Sequence, residues 1–201
     1  MHKRNTMKNS YLNYALMLTL LGSFLFLGSC DDDVPPEEDE EEIITDVILT
    51  FTSGSSTVTV RAQDPDGQGP QDLAVTEHIS LQANTEYVMT IELENTIEGE
   101  SITEEVAEEA AEHMFFFGFT ADIFSSPAGD GNIDARADAV NYNDQDTNGQ
   151  PVGLSTTWTT GSASTGTFRV VLKHQPDLKS ATSSATEGSS DVDLTWNVTI
   201  E

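Results

Sequence analysis

Val192-Asp193-Leu194-Thr195-Trp196-Asn197-Val198-Thr199-Ile200-Glu201 alternates large apolar with polar side chains without interruption. Neighbouring side chains of an extended chain point to opposite faces, so this pattern makes a half-buried strand with one wet face. The same period of two runs through Tyr87, Met89, Ile91 and Leu93, set against Val88, Thr90, Glu92 and Glu94, and through Phe168, Val170 and Leu172, set against Arg169, Val171 and Lys173. Further strands are expected at 44–52, 56–63, 73–81, 114–124, 136–143 and 153–160, separated by clusters of Gly, Ser, Asn and Asp. About nine short strands predict an all-β fold, an immunoglobulin-like antiparallel sandwich spanning 43–201. The single cysteine excludes the disulfide of antibody domains.

One stretch departs from the period of two. Ser101 to His113 is rich in Glu and Ala, with Ser101 and Glu104 at capping-box spacing, and it predicts one short helix near 102–114 with Ile102, Val106, Ala110 and Met114 as its buried stripe. Ser180 to Ser190, small and polar, is expected to be a loop before the last strand. In Phe115, Phe116, Phe117 and Phe119 alternate members are expected to fill both faces of a central strand.

The charge is uneven along the chain. Eight Lys and Arg stand against 35 Asp and Glu, a formal net charge of −27 over 201 residues. So acidic a chain repels phosphate backbones, which excludes nucleic acid as a partner and favours cations. With one cysteine, Cys-rich zinc sites are excluded too, and a metal ion must be held by oxygen or imidazole.

Lys3, Arg4 and Lys8 precede an uncharged, mostly apolar run from Tyr11 to Leu27, the pattern of a secretory signal peptide over 1–29. The alternative, a retained transmembrane helix, needs roughly 20 apolar residues. Leu27-Gly28-Ser29-Cys30 resembles the bacterial lipobox, which implies cleavage before Cys30 and lipidation of its thiol and amine. Stacked acyl chains would then hold the protein to a membrane, since each buried methylene contributes about 0.8 kcal/mol. Asp31 to Asp33 and Glu37 to Glu42 place nine acids in the next twelve residues around Val34, Pro35 and Pro36, so 30–42 is expected to be a disordered, extended acidic tether. A cysteine followed by acids resembles the export signal of Bacteroidota-type lipoproteins. That implies the outer membrane and its outer face, the periplasmic face being the alternative.

Two groups of residues suggest cation chemistry. Asp144, Asp146 and Asn148, followed by Gly149, match the first half of a calcium loop, where alternate side chains converge on one ion. The twelfth position is Ser155, not a bidentate Glu, so an EF-hand is excluded and two readings remain: a weak calcium site or an ordinary self-capped turn. Asp64-Pro65-Asp66-Gly67-Gln68-Gly69 and Asp130-Gly131-Asn132-Ile133-Asp134 are looser versions. The second group is Glu109, Glu112, His113 and His174. Glu109 and His113 share a helical face at i and i+4, and a second imidazole from His174 would complete a three-ligand site for a transition metal such as Zn2+. The alternative has His113 as a charge near a helix C-terminus and His174 as a strand-end residue. His78 is read as incidental. No nucleophile motif, Walker loop or dinucleotide fingerprint occurs, so a non-enzymatic role is expected.

The lipobox and acidic tether, with Asp66-Gly67-Gln68-Gly69-Pro70, Glu112-His113-Met114-Phe115-Phe116, Asn148-Gly149-Gln150-Pro151-Val152-Gly153-Leu154 and Leu172-Lys173-His174-Gln175-Pro176, resemble a family of small flavobacterial-type lipoproteins. These are often labelled "type 1 periplasmic binding fold superfamily protein". The two doubly wound α/β lobes in that label differ from the strand periodicity, which predicts the all-β fold. The resemblance implies a small, lipid-anchored, monomeric binding protein that captures a metal ion or small ligand for an outer-membrane, TonB-dependent receptor. The alternative function is a structural or adhesive surface module whose acidic loops are stabilised by calcium.

Overall fold

The computed structural model describes residues 43–69 and 72–201. The expected signal peptide (1–29), Cys30 and the tether (30–42) lie outside the described residues. Among the described residues no helix is long and apolar enough to cross a membrane.

The described residues form an all-β sandwich of ten strands and one short helix. In order these are β1 (Asp46–Ser53), β2 (Ser56–Gln63), β3 (Ala74–Val75), β4 (Ile79–Leu81), β5 (Glu86–Glu94), α1 (Ile102–Glu108), β6 (His113–Phe119), β7 (Phe124–Ser126), β8 (Ser155–Thr160), β9 (Ser164–His174) and β10 (Ser189–Ile200). One sheet has the order β3-β2-β1-β5-β8-β7 and the other β4-β10-β9-β6. Every pairing is antiparallel except β4 with β10.

The alternation read in the sequence sets the faces. Val192, Leu194, Trp196, Val198 and Ile200 of β10 enter the core, as do Tyr87, Met89, Ile91 and Leu93 of β5, while Asp193, Thr195 and Asn197 face water. Trp158 from β8 reaches across to the other sheet. Its ring lies 5.4 Å from Phe117, 5.5 Å from Phe119 and 5.0 Å from Phe168, all edge-on, and its Nε1 donates to Thr156 Oγ1 at 2.7 Å. Edge-to-face rings add to the area buried, and the indole N–H has its acceptor.

Several expected elements differ. The 73–81 strand divides into β3 and β4, and the 114–124 strand into β6 and β7; in each case the chain crosses between sheets. No strand forms at 136–143. Its Ala-rich first half has little to bury, and only Val140 and Tyr142 pack on the core, with Tyr142 making an isolated bridge to Thr156.

The phenylalanine run belongs to an edge strand and not a central one. Phe115, Phe117 and Phe119 face the main core, whereas Met114 and Phe116 pack outward with Val171 beneath Ile133, Tyr142 and Ala185. Loops close that edge. Phe115 N donates to Val152 O at 2.7 Å, Phe117 N to Asn132 Oδ1 at 3.0 Å and Phe119 N to Asp130 O at 2.8 Å. Asn132 N returns a bond to Phe117 O, and the Tyr142 hydroxyl donates to Phe115 O. An apolar edge covered in this way is no template for another chain. Gly131 makes the approach possible, since at φ 94° a Cβ there would overlap the Phe117 carbonyl.

The helix is shorter than expected. It ends at Glu108, and Met114 belongs to β6. Ser101 makes no side-chain cap, which corrects the capping-box reading. Thr103 Oγ1 instead pins the helix to β5, accepting from Leu93 N at 2.7 Å and donating to Leu93 O at 3.1 Å. Ile102 and Val106 are its buried residues.

Candidate metal centre

The turn after α1 delivers the first two side chains. Glu109 is the C-cap, and its carbonyl accepts from Glu112 N at 2.8 Å and from His113 N at 3.3 Å. No basic residue occupies the last helical turn, where Glu108 and Glu109 oppose the helix dipole. A distant lysine supplies the missing cation: Lys179 Nζ donates to Ala110 O at 2.6 Å. His113 therefore opens β6 and does not end the helix, yet the turn keeps it beside Glu109. Its Nδ1 lies 3.9 Å from Glu109 Oε2 and 3.4 Å from the Glu109 carbonyl.

Strand pairing brings the second imidazole. His174 ends β9 directly opposite His113 in the β6–β9 register. The two rings stack, with centroids 4.5 Å apart and planes within 7°. One ligand atom from each of Glu109, His113 and His174 lies within 4.8 Å of the others. His113 is fully buried, the His174 side chain is 13% exposed and that of Glu109 is 56% exposed, so the site opens to solvent on the glutamate side. Glu112 stands on His174, its Oε2 3.4 Å from Nε2, and its backbone carbonyl is held by Gln175 N at 2.6 Å.

These donors suit a transition metal. Imidazole nitrogen with one carboxylate selects ions such as zinc or copper over calcium and magnesium, which take oxygen. A tetrahedral site with bonds of about 2.0–2.1 Å sets its donors about 3.3 Å apart, so capture requires the three groups to close in. Lone pairs lie in the ring planes, so the parallel stack must also tilt.

Asp191 joins this group and is missed by sequence reasoning. Its Oδ2 lies 3.9 Å from His113 Nε2, and its side chain is 8% exposed. The register between β9 and β10 shifts between Ser190 and Val192, which leaves Asp191 as the extra residue of a bulge. By simple alternation from Val192 it would face solvent, and a bulge leaves no mark in composition.

The residues of the expected calcium loop form a self-capped turn, the second of its two readings. Asp144 accepts from Gly153 N at 2.7 Å and Ser155 N at 2.9 Å, and Asp146 Oδ1 accepts from Asn148 N and Gln150 N, both at 2.8 Å. Asp146 Oδ2 pairs with Lys179 Nζ at 3.1 Å, with both side chains 1% exposed. Asn148 contributes its backbone amide. Burial alone would raise the Asp146 carboxyl, but the Gln150 amide, Lys179 and the Asn148 amide together hold it below the usual carboxylate value. Burial pushes the Lys179 ammonium down, an effect that Asp146 only partly offsets. Lys179 was not singled out in the sequence, although it ties this loop to the turn that carries Glu109.

The looser motifs are turns as well. Asp64 Oδ1 accepts from the amides of Asp66 and Gly67, both at 3.1 Å, and Asn132 latches β6. His78 bonds Thr199 Oγ1 at 2.8 Å on the surface. Compared with known proteins, the chain matches no protein-family model, no curated sequence and no solved structure.

Proposed function

We propose that this chain is a non-enzymatic, lipid-anchored binding protein of the outer membrane that takes up a divalent transition-metal ion such as zinc. The convergence of Glu109, His113 and His174 carries the reading. Glu109 and His113 from the turn after α1 and His174 from the end of β9 meet at one partly open point, as three protein ligands with a vacant fourth position do in open zinc sites. A domain with 26 acids and five bases from residue 43 onward attracts cations electrostatically.

The anchor rests on Cys30 in its lipobox-like setting and on the resemblance to surface lipoproteins. Presentation of the ion to an outer-membrane, TonB-dependent receptor follows from the same resemblance. The calcium-stabilised module is the weaker reading, because Asp144 and Asp146 spend their oxygens on amides and on Lys179.

Calorimetry with zinc and copper on the fragment from Ile43, which holds both sheets and the core, tests the binding. One ion per chain is expected, lost in His113→Ala and in His174→Ala; absence of heat with the unmodified fragment rejects it. For the anchor, radiolabelled palmitate is expected to enter the full chain and not Cys30→Ser. Equal labelling of both rejects lipidation at that residue.

A further inference from the structure

We infer that Lys179 is a positioning residue for the ion: it holds the turn that carries Glu109 against the end of β9, so that the third ligand stands in place before the ion arrives. The inference rests on the metal-binding reading above and adds to it a residue outside the ligand set.

The two imidazoles and the carboxylate are not held alike. His113 and His174 sit opposite each other in the β6–β9 ladder, which fixes both backbones. Glu109 lies outside any strand, one residue beyond a helix of 7 residues, with its side chain more than half exposed. Its turn also carries unfavourable charge. Glu108, Glu109 and Glu112 crowd the negative end of the helix dipole, and no basic residue occupies the last helical turn. Left to itself such a segment would splay into solvent.

Hydrogen bonds close it instead against the segment after β9. Gln175 N donates to Glu112 O at 2.6 Å, Lys179 N to Gln175 O at 3.0 Å, and Lys179 Nζ to Ala110 O at 2.6 Å. Ala110 and Glu112 belong to one turn, and Gln175 follows His174 directly, so these bonds form a ring that ties the neighbours of Glu109 to the neighbour of His174. The ammonium is itself fixed. Asp146 Oδ2 is 3.1 Å away, both side chains are 1% exposed, and Asp146 Oδ1 is held by the amides of Asn148 and Gln150. The same loop bonds β6 through Phe115 N and Val152 O at 2.7 Å. Lys179 thus joins the turn to a buried carboxylate anchored on the sheet, and its charged donor makes the bond to Ala110 O stronger than a neutral one.

Capture gains from this because a group already held in place loses less freedom on binding. Without Nζ the turn would have to be ordered by the ion itself, while the imidazoles would stay where the ladder puts them. The cost falls on Glu109 alone.

The test is zinc chloride calorimetry on the fragment from Ile43, in a double-mutant cycle of Lys179→Met and Glu109→Ala. Lys179→Met is expected to lower zinc affinity about tenfold. With Glu109→Ala already present it is expected to lower affinity by less than about twofold, because both changes act through one ligand. A general loosening of the domain would lower affinity equally in both backgrounds. Asp146→Asn with Lys179→Met removes the pair without leaving a buried unpaired charge, and it is expected to bind zinc as weakly as Lys179→Met; it decides the matter should the single variant fail to fold. Zinc affinity in the Lys179 variants within about twofold of the unmodified fragment, or the same fold-loss with and without Glu109, overturns the role of Lys179 and leaves metal binding intact. An unmodified fragment that takes up no zinc overturns the metal reading itself, and this inference with it.

Discussion

Lys179→Met isolates the buried charge pair behind the candidate centre. The substitution keeps most of the side chain's volume and removes the ammonium, leaving the Asp146 carboxylate buried at 1% exposure and Ala110 O without its donor. Breaking a buried pair by removing one partner costs about 3–5 kcal/mol. Asp146 keeps two amide bonds, from Asn148 and Gln150, so the lower end, about 3 kcal/mol, is expected. For a domain of this size that corresponds to a fall in melting temperature of about 6–12 °C. Urea denaturation at pH 7 measures it.

The pH dependence gives a second readout. In the native chain the Asp146 carboxyl sits below its ordinary value, so its contribution is complete above the unfolded value of about 3.9 and is lost as pH falls through the native one. Without Lys179, burial dominates and the carboxyl moves up. The gap between variant and native chain should therefore narrow as pH falls from 7 toward 4. A second variant, Asp146→Asn with Lys179→Met, removes both charges while keeping Oδ1 as acceptor for the Asn148 and Gln150 amides, and should recover part of the loss. A loss under about 1 kcal/mol, or a double variant no more stable than the single one, would refute the account of the pair.

Other substitutions test the frame and the loops. Trp158→Ala opens the middle of the aromatic cluster and should cost about 3–5 kcal/mol by denaturant titration. Gly131→Ala should destabilise by at least about 2 kcal/mol, because a positive φ is combined with overlap on the Phe117 carbonyl, and a neutral result would dismiss the loop closure of β6. Arg169→Gln removes a two-pronged pair with Asp193, at 2.7 and 2.6 Å, whose side chains are 44% and 46% exposed; the cost should stay below about 1 kcal/mol. Chelating calcium should leave the melting temperature unchanged, since the carboxylates of 144–149 are already engaged; a drop would restore the calcium loop.

The fold was legible wherever one face of a strand is wet. β5, and β10 from Val192 onward, follow their alternation residue by residue because the other face is the shared core. It was not legible where the chain changes sheets, as between Phe119 and Phe124, since both halves remain apolar while their partners change. The helix was placed correctly at its start and too long at its end. Glu and Ala favour helix through His113, but His113 and Met114 gain more by pairing with β9. For the candidate site, Glu109 and His113 were found for a helical reason that the structure replaces with a turn. His174 was found as a strand end, and the register supplies its meeting with His113. Asp191 and Lys179 were invisible because a bulge and a contact between distant loops carry no local pattern.

The central claim is that one ion sits among Glu109, His113 and His174, and anomalous diffraction at the zinc edge from crystals of the fragment grown with zinc tests it most directly. The account predicts a single strong peak within bonding distance of both imidazoles and the Glu109 carboxylate. A peak only elsewhere, such as the carboxylate-lined cleft of Asp46, Asp64 and Asp72, or no peak beside the two histidines, would contradict it.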